Sequence, residues 1–180
     1  QLLIQGGLHP KLTIDYFVNF FRSIKRRFPD VIIHSLSPAE IIHIAKKSNI
    51  SVRESLVSLK EAGLESLPGG GAEILVDEIR KEISPNKIGW KEWESVMREA
   101  ANIGMKGTAT MMFGSIEKPE DIVTHLDRIR KFQDETGFFR AFIPWTYQPG
   151  NNELGGNKVS SLYYLRVLAL SRIFLDNIPN

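Results

Sequence analysis

The chain has 180 residues, of which 42% are hydrophobic and 24% charged, a composition typical of a globular domain and unlike that of disordered or fibrous chains. Its 23 basic and 21 acidic residues leave a net charge of +2, which gives no support to a role at nucleic acid or a membrane surface. The absence of cysteine excludes disulfides, a thiolate nucleophile and any cysteine-ligated zinc or iron–sulfur site held by these residues.

Short apolar strands alternate with longer helical segments along the chain. In chain order we predict a strand at 2–4, a helix from Thr13, a strand at 31–33, helices from Pro38 and Ser51, a strand at 64–67, helices at 74–82 and 90–103, a strand at 106–113, a helix from Pro119, a strand at 138–144 and a helix at 159–176. Apolar residues that recur every three or four positions, as at Ile14, Phe17 and Phe21, indicate the helices. Ser51 and Glu54 have the spacing of a capping box.

This alternation is the pattern of repeated βα units around a parallel sheet. Such a sheet is either doubly wound or closed as a barrel, and no G-x-G-x-x-G or G-x-x-x-x-G-K-S/T motif marks a nucleotide-binding doubly wound half. A complete eight-unit barrel needs roughly 250 residues. We therefore predict an α/β fold with about five consecutive βα units of a partial (β/α) TIM-type barrel, in a single domain spanning 1–180.

The predicted strand ends carry glycine and polar residues where composition would allow apolar ones. Single features have simpler explanations, since Gly6 and Gly7 suit a turn with positive φ, and Met111 and Met112 suit core packing. Their coincidence at successive strand ends favours a ligand-lined mouth, because working residues of barrels lie at the carboxyl ends of the strands. No pair of histidines has convincing metal-ligand spacing. The residues alone predict an enzyme or a binding protein.

The strand ends also resemble those of a known family. They read LIQGGLHP at 3–10, HSLSPAEI at 34–41, SLPGGGAEIL at 66–75, TATMMFG at 108–114 and FIPWTYQPGN at 142–151. Together they closely resemble the cyclic dehypoxanthine futalosine synthases, which are radical S-adenosylmethionine enzymes of the futalosine route to menaquinone. The resemblance implies that the chain spans strand 2 to helix 6 of a radical S-adenosylmethionine barrel, as a fragment without the N-terminal cluster-binding loop and the C-terminal part.

The resemblance implies a reaction and its cofactors. A 4Fe–4S cluster, held by cysteines expected upstream of Gln1, binds S-adenosylmethionine, whose reductive cleavage gives a 5′-deoxyadenosyl radical. That radical takes a hydrogen from ribose C4′ of dehypoxanthine futalosine, and ring closure follows. A reducing electron donor is then required, and we expect no nucleic-acid or membrane partner. No apolar run approaches the roughly 20 residues of a spanning helix and no signal peptide is visible, so we expect a cytoplasmic location.

Residue roles carry over from the resemblance position by position. The implied cofactor-binding residues are Gln5, Gly6, Gly7, Glu73, Thr110, Met112, Gly114 and Glu117. The implied substrate-pocket residues are Ser35, Trp145 and Gln148, and a base for the final deprotonation is sought in His9 or Glu40. The family's Gly-Gly-Glu motif is only partly matched, because Leu8 stands in place of the acid. Gln5 or backbone carbonyls then take that role.

Two alternatives remain open at this point. The first is another enzyme of the same superfamily, either aminofutalosine synthase or a deazaflavin-forming synthase. The second is a (β/α) barrel that binds a ligand without radical chemistry. For these 180 residues by themselves we predict no turnover and poor stability, because the cluster ligands are absent and the edge strands of an unclosed barrel are unpaired.

Overall fold

Five strands form one parallel sheet in the computed structural model, which describes residues 1–150 and 152–179. The strands are β1 (Leu2–Ile4), β2 (Ile33–Ser35), β3 (Leu64–Leu67), β4 (Lys106–Phe113) and β5 (Phe139–Thr146). Their order in the sheet is their order in the chain, and the sheet curls into a half-barrel. The predicted partial (β/α) barrel is therefore confirmed. Asn151, which ends the last of the five strand-end segments, lies outside the described residues.

Helices fill every interval between the strands, and one follows β5. They are α1 (Ile14–Arg27), α2 (Pro38–Ser48), α3 (Val52–Glu61), α4 (Asp77–Ile83), α5 (Trp90–Asn102), α6 (Pro119–Thr136) and α7 (Ser161–Phe174). All seven predicted helices are present in the described part of the chain. Within those same residues, no helix combines the length and the apolar character needed to cross a membrane.

Local sequence signals set where the helices begin. Ser51 and Glu54 form the predicted capping box, with Ser51 Oγ accepting the Glu54 N–H at 3.1 Å. Thr13 occupies the predicted N-cap position of α1, but its hydroxyl makes no capping bond. The Ile14 N–H instead donates to Ser48 Oγ at 2.9 Å, so the start of α1 is tied to the end of α2.

Several predicted boundaries were wrong by two or three residues, among them those of β5 (predicted at 138–144) and α7 (predicted at 159–176), and two of these errors have a clear cause. The second strand is at Ile33–Ser35 instead of 31–33, because residues of that segment pair with β1 in register from Leu2 opposite Ile33. The helix predicted at 74–82 begins only at Asp77. Its apolar start, at Ile74, is fully buried in a non-helical segment, so burial without helical structure explains the periodicity that misled the prediction.

The apolar core lies between one face of the sheet and the helices. Ile33, Leu67 and Met111 belong to it from the strands, and Trp93 and Phe132 belong to it from α5 and α6. Because side chains alternate across a strand, the neighbouring strand residues point to the opposite, concave face of the half-barrel. That face and the carboxyl ends of the strands are where a ligand can reach the sheet.

Candidate functional site

A cavity of about 700 Å³ opens at the carboxyl ends of the strands. Five of the sequence-predicted site residues line it, namely Gln5, Gly7, Glu40, Glu73 and Trp145. The other lining residues are Leu8, Ser37, Ala39, Ile42, His43, Lys46, Gly70, Gly71, Asn86, Lys87, Ile88 and Trp93. The cavity has the size and the mixed apolar and polar lining of a small-molecule site.

The carboxylate of Glu40 holds the loop after β1. Its Oε1 accepts the N–H groups of Gly6 at 2.8 Å and Gly7 at 3.1 Å, while its Oε2 accepts the N–H and the hydroxyl of Ser37, each at 2.7 Å. Glu40 is only 4% exposed. One buried side chain therefore caps α2 and fixes the Gly6–Gly7 backbone at the edge of the cavity, which makes Glu40 a positioning residue in this arrangement.

We expect Glu40→Gln to loosen the Gly6–Gly7 loop. The amide nitrogen cannot accept, so part of the fourfold acceptor set is lost, at a cost of about 1–3 kcal/mol. Amide hydrogen exchange of residues 5–10 in the whole protein should accelerate. Glu54→Gln is the matched control, because Glu54 forms the same capping box on α3 without reaching the loop. If both variants left exchange at Gly6 and Gly7 unchanged, the positioning role would be wrong.

The glycine-rich loop after β3 packs closely against its neighbours. A Cβ on Gly69 would lie within 2.7–2.9 Å of the backbone of residues 108–110, and one on Gly70 would meet the Gln5 side chain at 2.3 Å. Thr110 Oγ1 donates to the Gly69 carbonyl at 2.6 Å. These contacts explain why side chains are absent here: the loop lies directly on β4 and on the end of β1.

Arg80 on α4 also holds the loop after β3 in place. Its guanidinium donates to the carbonyls of Gly71 and Ile74, at 3.0 and 3.4 Å, and also to those of Ala72 and Ile88. Its side chain is 3% exposed, and burial lowers the pKa of this guanidinium from its ordinary value while nearby carboxylates, Asp77 first, oppose that shift. One cation on α4 thus joins two loops that border the cavity.

Glu73 stands between the main cavity and a second cavity of about 670 Å³. Its backbone has φ +45°, in the left-handed region that costs energy for a residue with a Cβ. Its carboxylate is paired with Lys87, and its carbonyl accepts the Met112 N–H at 2.7 Å. The predicted residue Met112 lines the second cavity.

The other predicted site residues lie outside the lining of these two cavities. Ser35 is fully buried, and its hydroxyl donates to the Ile4 carbonyl. His9 is exposed on the loop after β1, where its carbonyl accepts from His43 Nε2 at 2.8 Å. Gln148 is exposed, and its amide donates to Thr146 Oγ1 at 3.0 Å. The structure does not test the roles that the resemblance implies for these residues, which stay predictions.

Glu117 organises the turn after β4. Its carboxylate accepts the Gly114 N–H, and it also accepts the N–H and hydroxyl of Ser115 at 2.9 and 2.7 Å. Gly114 has φ +90°, and a Cβ there would meet Val159 Cγ1 at 2.3 Å. Gly114 and Glu117 therefore depend on each other for the shape of this turn, which explains their spacing in the sequence.

Several residues around the cavity were not predicted from the sequence. Asn86, Lys87 and Ile88 come from the connection between α4 and α5, well after the end of a strand. Lys46 comes from the last turn of α2. The sequence signal was limited to strand ends, and these residues are brought to the cavity by the packing of helices. In the described segments no group of three histidine or acidic residues has the arrangement of a metal site.

Comparison with known proteins relates the whole chain to enzymes. No family model matches it. Cyclic dehypoxanthine futalosine synthase from Halalkalibacterium halodurans is 50% identical over 181 residues, and its counterpart from Streptomyces coelicolor is 44% identical over 181 residues. Both alignments cover 100% of this chain but only 49% and 45% of the relatives. The chain thus spans about half the length of the curated relatives it matches, and the resemblance predicted from the strand ends is confirmed.

Relatives with other activities match over the same span. Aminodeoxyfutalosine synthase from Thermus thermophilus is 40% identical over 185 residues, covering 100% of this chain and 50% of the relative. A 5-amino-6-(D-ribitylamino)uracil–L-tyrosine 4-hydroxyphenyl transferase from Methanosarcina mazei is 40% identical over 189 residues, covering 99% of this chain and 50% of the relative. Relatives with several different reactions therefore share this sequence pattern, and all of them are enzymes that act on small molecules.

Proposed function

Because this chain is related over its whole length to the cyclic dehypoxanthine futalosine synthases, we propose that the protein containing it is a radical S-adenosylmethionine cyclase that converts dehypoxanthine futalosine to its cyclic product. The observation that carries this proposal is the 50% and 44% identity over the whole chain, in alignments that include every predicted site segment. In such an enzyme S-adenosylmethionine supplies the 5′-deoxyadenosyl radical that abstracts hydrogen from ribose C4′. We further propose a reducing electron donor as partner and a cytoplasmic location.

The cavity edge has room for a cofactor beside its glycines. A Cβ added to Gly6, Gly7 or Gly71 would meet no atom within 4 Å, so these backbone segments face open space. A ligand can therefore approach the main chain there, as binding of an amino-acid-like cofactor requires. The residues present fit S-adenosylmethionine on this criterion. They do not fit the cluster, since the chain has no cysteine, and we assign no step to cluster ligands within it.

The residues at the cavity have separate roles in this proposal. Glu40 holds the Gly6–Gly7 backbone so that its open side faces the cavity, and Gln5 packs against Gly70 across it. Glu73, held by Lys87, presents a carboxylate to hydroxyl groups of a bound nucleoside. Trp145 offers an aromatic wall. For the final deprotonation we retain His9, whose imidazole lies on the exposed loop.

A second candidate function is favoured by specific relatives. The Thermus enzyme and the Methanosarcina enzyme match this chain almost as completely as the cyclic dehypoxanthine futalosine synthases do. An aminofutalosine-type or deazaflavin-type synthase therefore remains the alternative within the same class. A barrel that binds a ligand without radical chemistry is the alternative outside it.

One assay separates these functions. The whole protein, reconstituted with iron and sulfide, would be supplied with reductant and S-adenosylmethionine, in parallel reactions with dehypoxanthine futalosine or with the substrates of the alternative synthases, and the products analysed by mass spectrometry. Cyclised product is expected. An adduct formed from the substrates of the alternative synthases would replace the proposal by the second candidate. Failure to form 5′-deoxyadenosine with any of these substrates would favour the non-radical binder.

We expect Glu117→Ala to weaken binding of S-adenosylmethionine by on the order of tenfold. The variant loses the carboxylate that accepts the N–H groups of Gly114 and Ser115. Without it, this turn no longer keeps the conformation that is proposed to contact the cofactor. Equilibrium binding to the whole protein measures the effect. Glu120→Ala is the control, because Glu120 is exposed in the first turn of α6. Equal affinity in the two variants would remove Glu117 from the cofactor site.

A further inference from the structure

One face of helix α2 forms a wall of the main cavity. Ala39, Ile42, His43 and Lys46 line that cavity, and we call these four residues the α2 face. They fall at positions i, i+3, i+4 and i+7, which places them on one side of the helix. Helix α2 also packs against α5, which brings Trp93 to the same cavity. The α2 face thus gives the cavity side chains that no strand end supplies.

The charged side chains of the cavity wall differ in whether they have a partner. The Glu40 carboxylate accepts from two backbone N–H groups of the loop after β1 and from the N–H and hydroxyl of its own helix cap. The Glu73 carboxylate is paired with Lys87. Within residues 1–150 and 152–179, the Lys46 ammonium makes no hydrogen bond or ion pair. The wall therefore holds one cation that is left for a ligand.

The end of a helix favours cations, and this preference alone does not account for Lys46. The last turn of α2 contains both Lys46 and Lys47, and both are exposed and suited to the helix dipole. Lys46 lines the cavity and Lys47 does not. The two lysines thus share the electrostatic role at the helix end, and they differ in their access to the cavity.

We propose that Lys46 binds the carboxylate of an aromatic ligand in the cavity, away from the edge proposed for the cofactor. An ammonium donates charge-assisted hydrogen bonds to a carboxylate, and Trp93 and Trp145 line the same cavity with aromatic rings that suit an aromatic ligand. Lys46 follows Glu40, which holds the cofactor edge, by six residues, or about 9 Å along the helix axis. That this carboxylate is not the cofactor's rests on the proposed function, whereas carboxylate binding by Lys46 does not.

The charge of the wall suits a singly charged group. A carboxylate carries one negative charge at pH 7, which the Lys46 ammonium balances. A phosphate monoester carries more negative charge than that and would need a second cation. Lys87, the other lysine of the wall, is already paired with Glu73. A carboxylate is therefore the anionic group that this wall favours.

Binding of benzoate to the whole protein, measured by nuclear magnetic resonance titration, tests the site, with benzamide as an uncharged probe of the same shape. We expect the wild type to bind benzoate about three- to tenfold more tightly than benzamide, and salt at about 1 M to shrink this preference because Lys46 is exposed. Lys46→Met should abolish the preference, and Lys46→Glu should reverse it. Lys47→Met is the matched control on the same helix end and should keep the wild-type preference.

The same variants separate a second ligand from the cofactor. Because Lys46 lies away from the Gly6–Gly7 edge, Lys46→Met should bind S-adenosylmethionine as tightly as the wild type does. If Lys46→Met weakened binding of S-adenosylmethionine as much as binding of benzoate, Lys46 would belong to the cofactor site and the inference would be wrong.

Two further results would overturn the inference. One is equal affinity of the wild type for benzoate and benzamide at low salt. The other is a preference for benzoate that Lys46→Met and Lys46→Glu leave unchanged, or that Lys47→Met reduces equally; if one Lys46 variant does not fold, the other decides. The product assay tests the proposed reaction separately, because a protein that forms no cyclised product can still discriminate benzoate from benzamide through Lys46.

Discussion

Arg80→Met is expected to lower the free energy of unfolding of the whole protein by about 3–5 kcal/mol. The substitution keeps most of the apolar stem but removes every donor of the guanidinium. The carbonyls of Gly71, Ala72, Ile74 and Ile88 would then lose the buried partner that they share. Hydrogen bonds from a charged donor are among the stronger ones, and carbonyls left buried without a partner pay the cost of desolvation.

Chemical denaturation measures this loss, and hydrogen exchange localises it. Exchange should accelerate in residues 69–76 and 84–89, which Arg80 joins, before it does so elsewhere. Arg53→Met is the control, because the side chain of Arg53 is 57% exposed and its ion pair with Glu99, a surface pair, contributes at most about 1 kcal/mol. Equal destabilisation by the two substitutions, or loosening spread evenly over the chain, would contradict the role given to Arg80.

The fold was largely predictable from the sequence because its two periodicities are strong. Short apolar runs indicate strands, and apolar residues at three- and four-residue spacing indicate helices, and both patterns can be read from neighbouring residues in the sequence. All five strands and seven helices of the described residues were therefore predicted. The errors came where tertiary contacts override local pattern. Residues 74–76 were predicted as the start of a helix, yet they are not helical, and Arg80 binds the carbonyls of Ala72 and Ile74 there.

The site was predictable only where it follows a strand. The strand-end rule brought Gln5, Gly7, Glu73 and Trp145 to one cavity because parallel strands place their carboxyl ends at the same edge. It could not bring Lys87, which arrives from a connection between helices. The same rule gave no weight to Arg80, a single arginine within a helix, because its importance comes from carbonyls of two other segments.

The side-chain contacts of Ser66 with His34 and with Arg140, which cross between strands, could not be predicted for a different reason. His34 and Ser66 are 32 residues apart, and Arg140 and Ser66 are 74 apart. A regular register would place each strand residue opposite a different neighbour, and the shifts between strands that align these side chains have no signature in the sequence. The proposed reaction came from the resemblance to a family, because single polar residues on separate strands do not indicate a reaction.

Protonation of His125 is expected to give the largest pH-dependent loss of stability in the described part of the chain. The ring is fully buried on α6, and its Nδ1 accepts the Leu75 N–H at 3.0 Å. Burial, and then the positive charges of Arg80 and Arg128, lower the pKa of His125 from 6.5 to about 3. The neutral ring thus suits the folded state, whereas the unfolded chain takes up a proton already near pH 6.5.

The sign follows from these two pKa values. Above about pH 6.5 the contribution of His125 to stability is fully present, and it is lost as the pH falls from there toward about 3. The slope approaches about 1.4 kcal/mol per pH unit, and the whole window corresponds to about 5 kcal/mol. Between pH 6.5 and pH 4.5 the wild type should therefore lose about 2 kcal/mol more than a variant without this group.

His125→Asn supplies that variant, because an asparagine oxygen can replace Nδ1 as acceptor for Leu75 but does not titrate. Chemical denaturation of the whole protein at several pH values compares the two. His34, whose pKa is also lowered, is present in both proteins and cancels in the difference. Gln133→Ala on the same helix loses its bonds to Phe139 without removing a titrating group, so it should shift stability equally at every pH. If His125→Asn likewise ran parallel to the wild type, the buried neutral histidine would not be the source of the acid sensitivity.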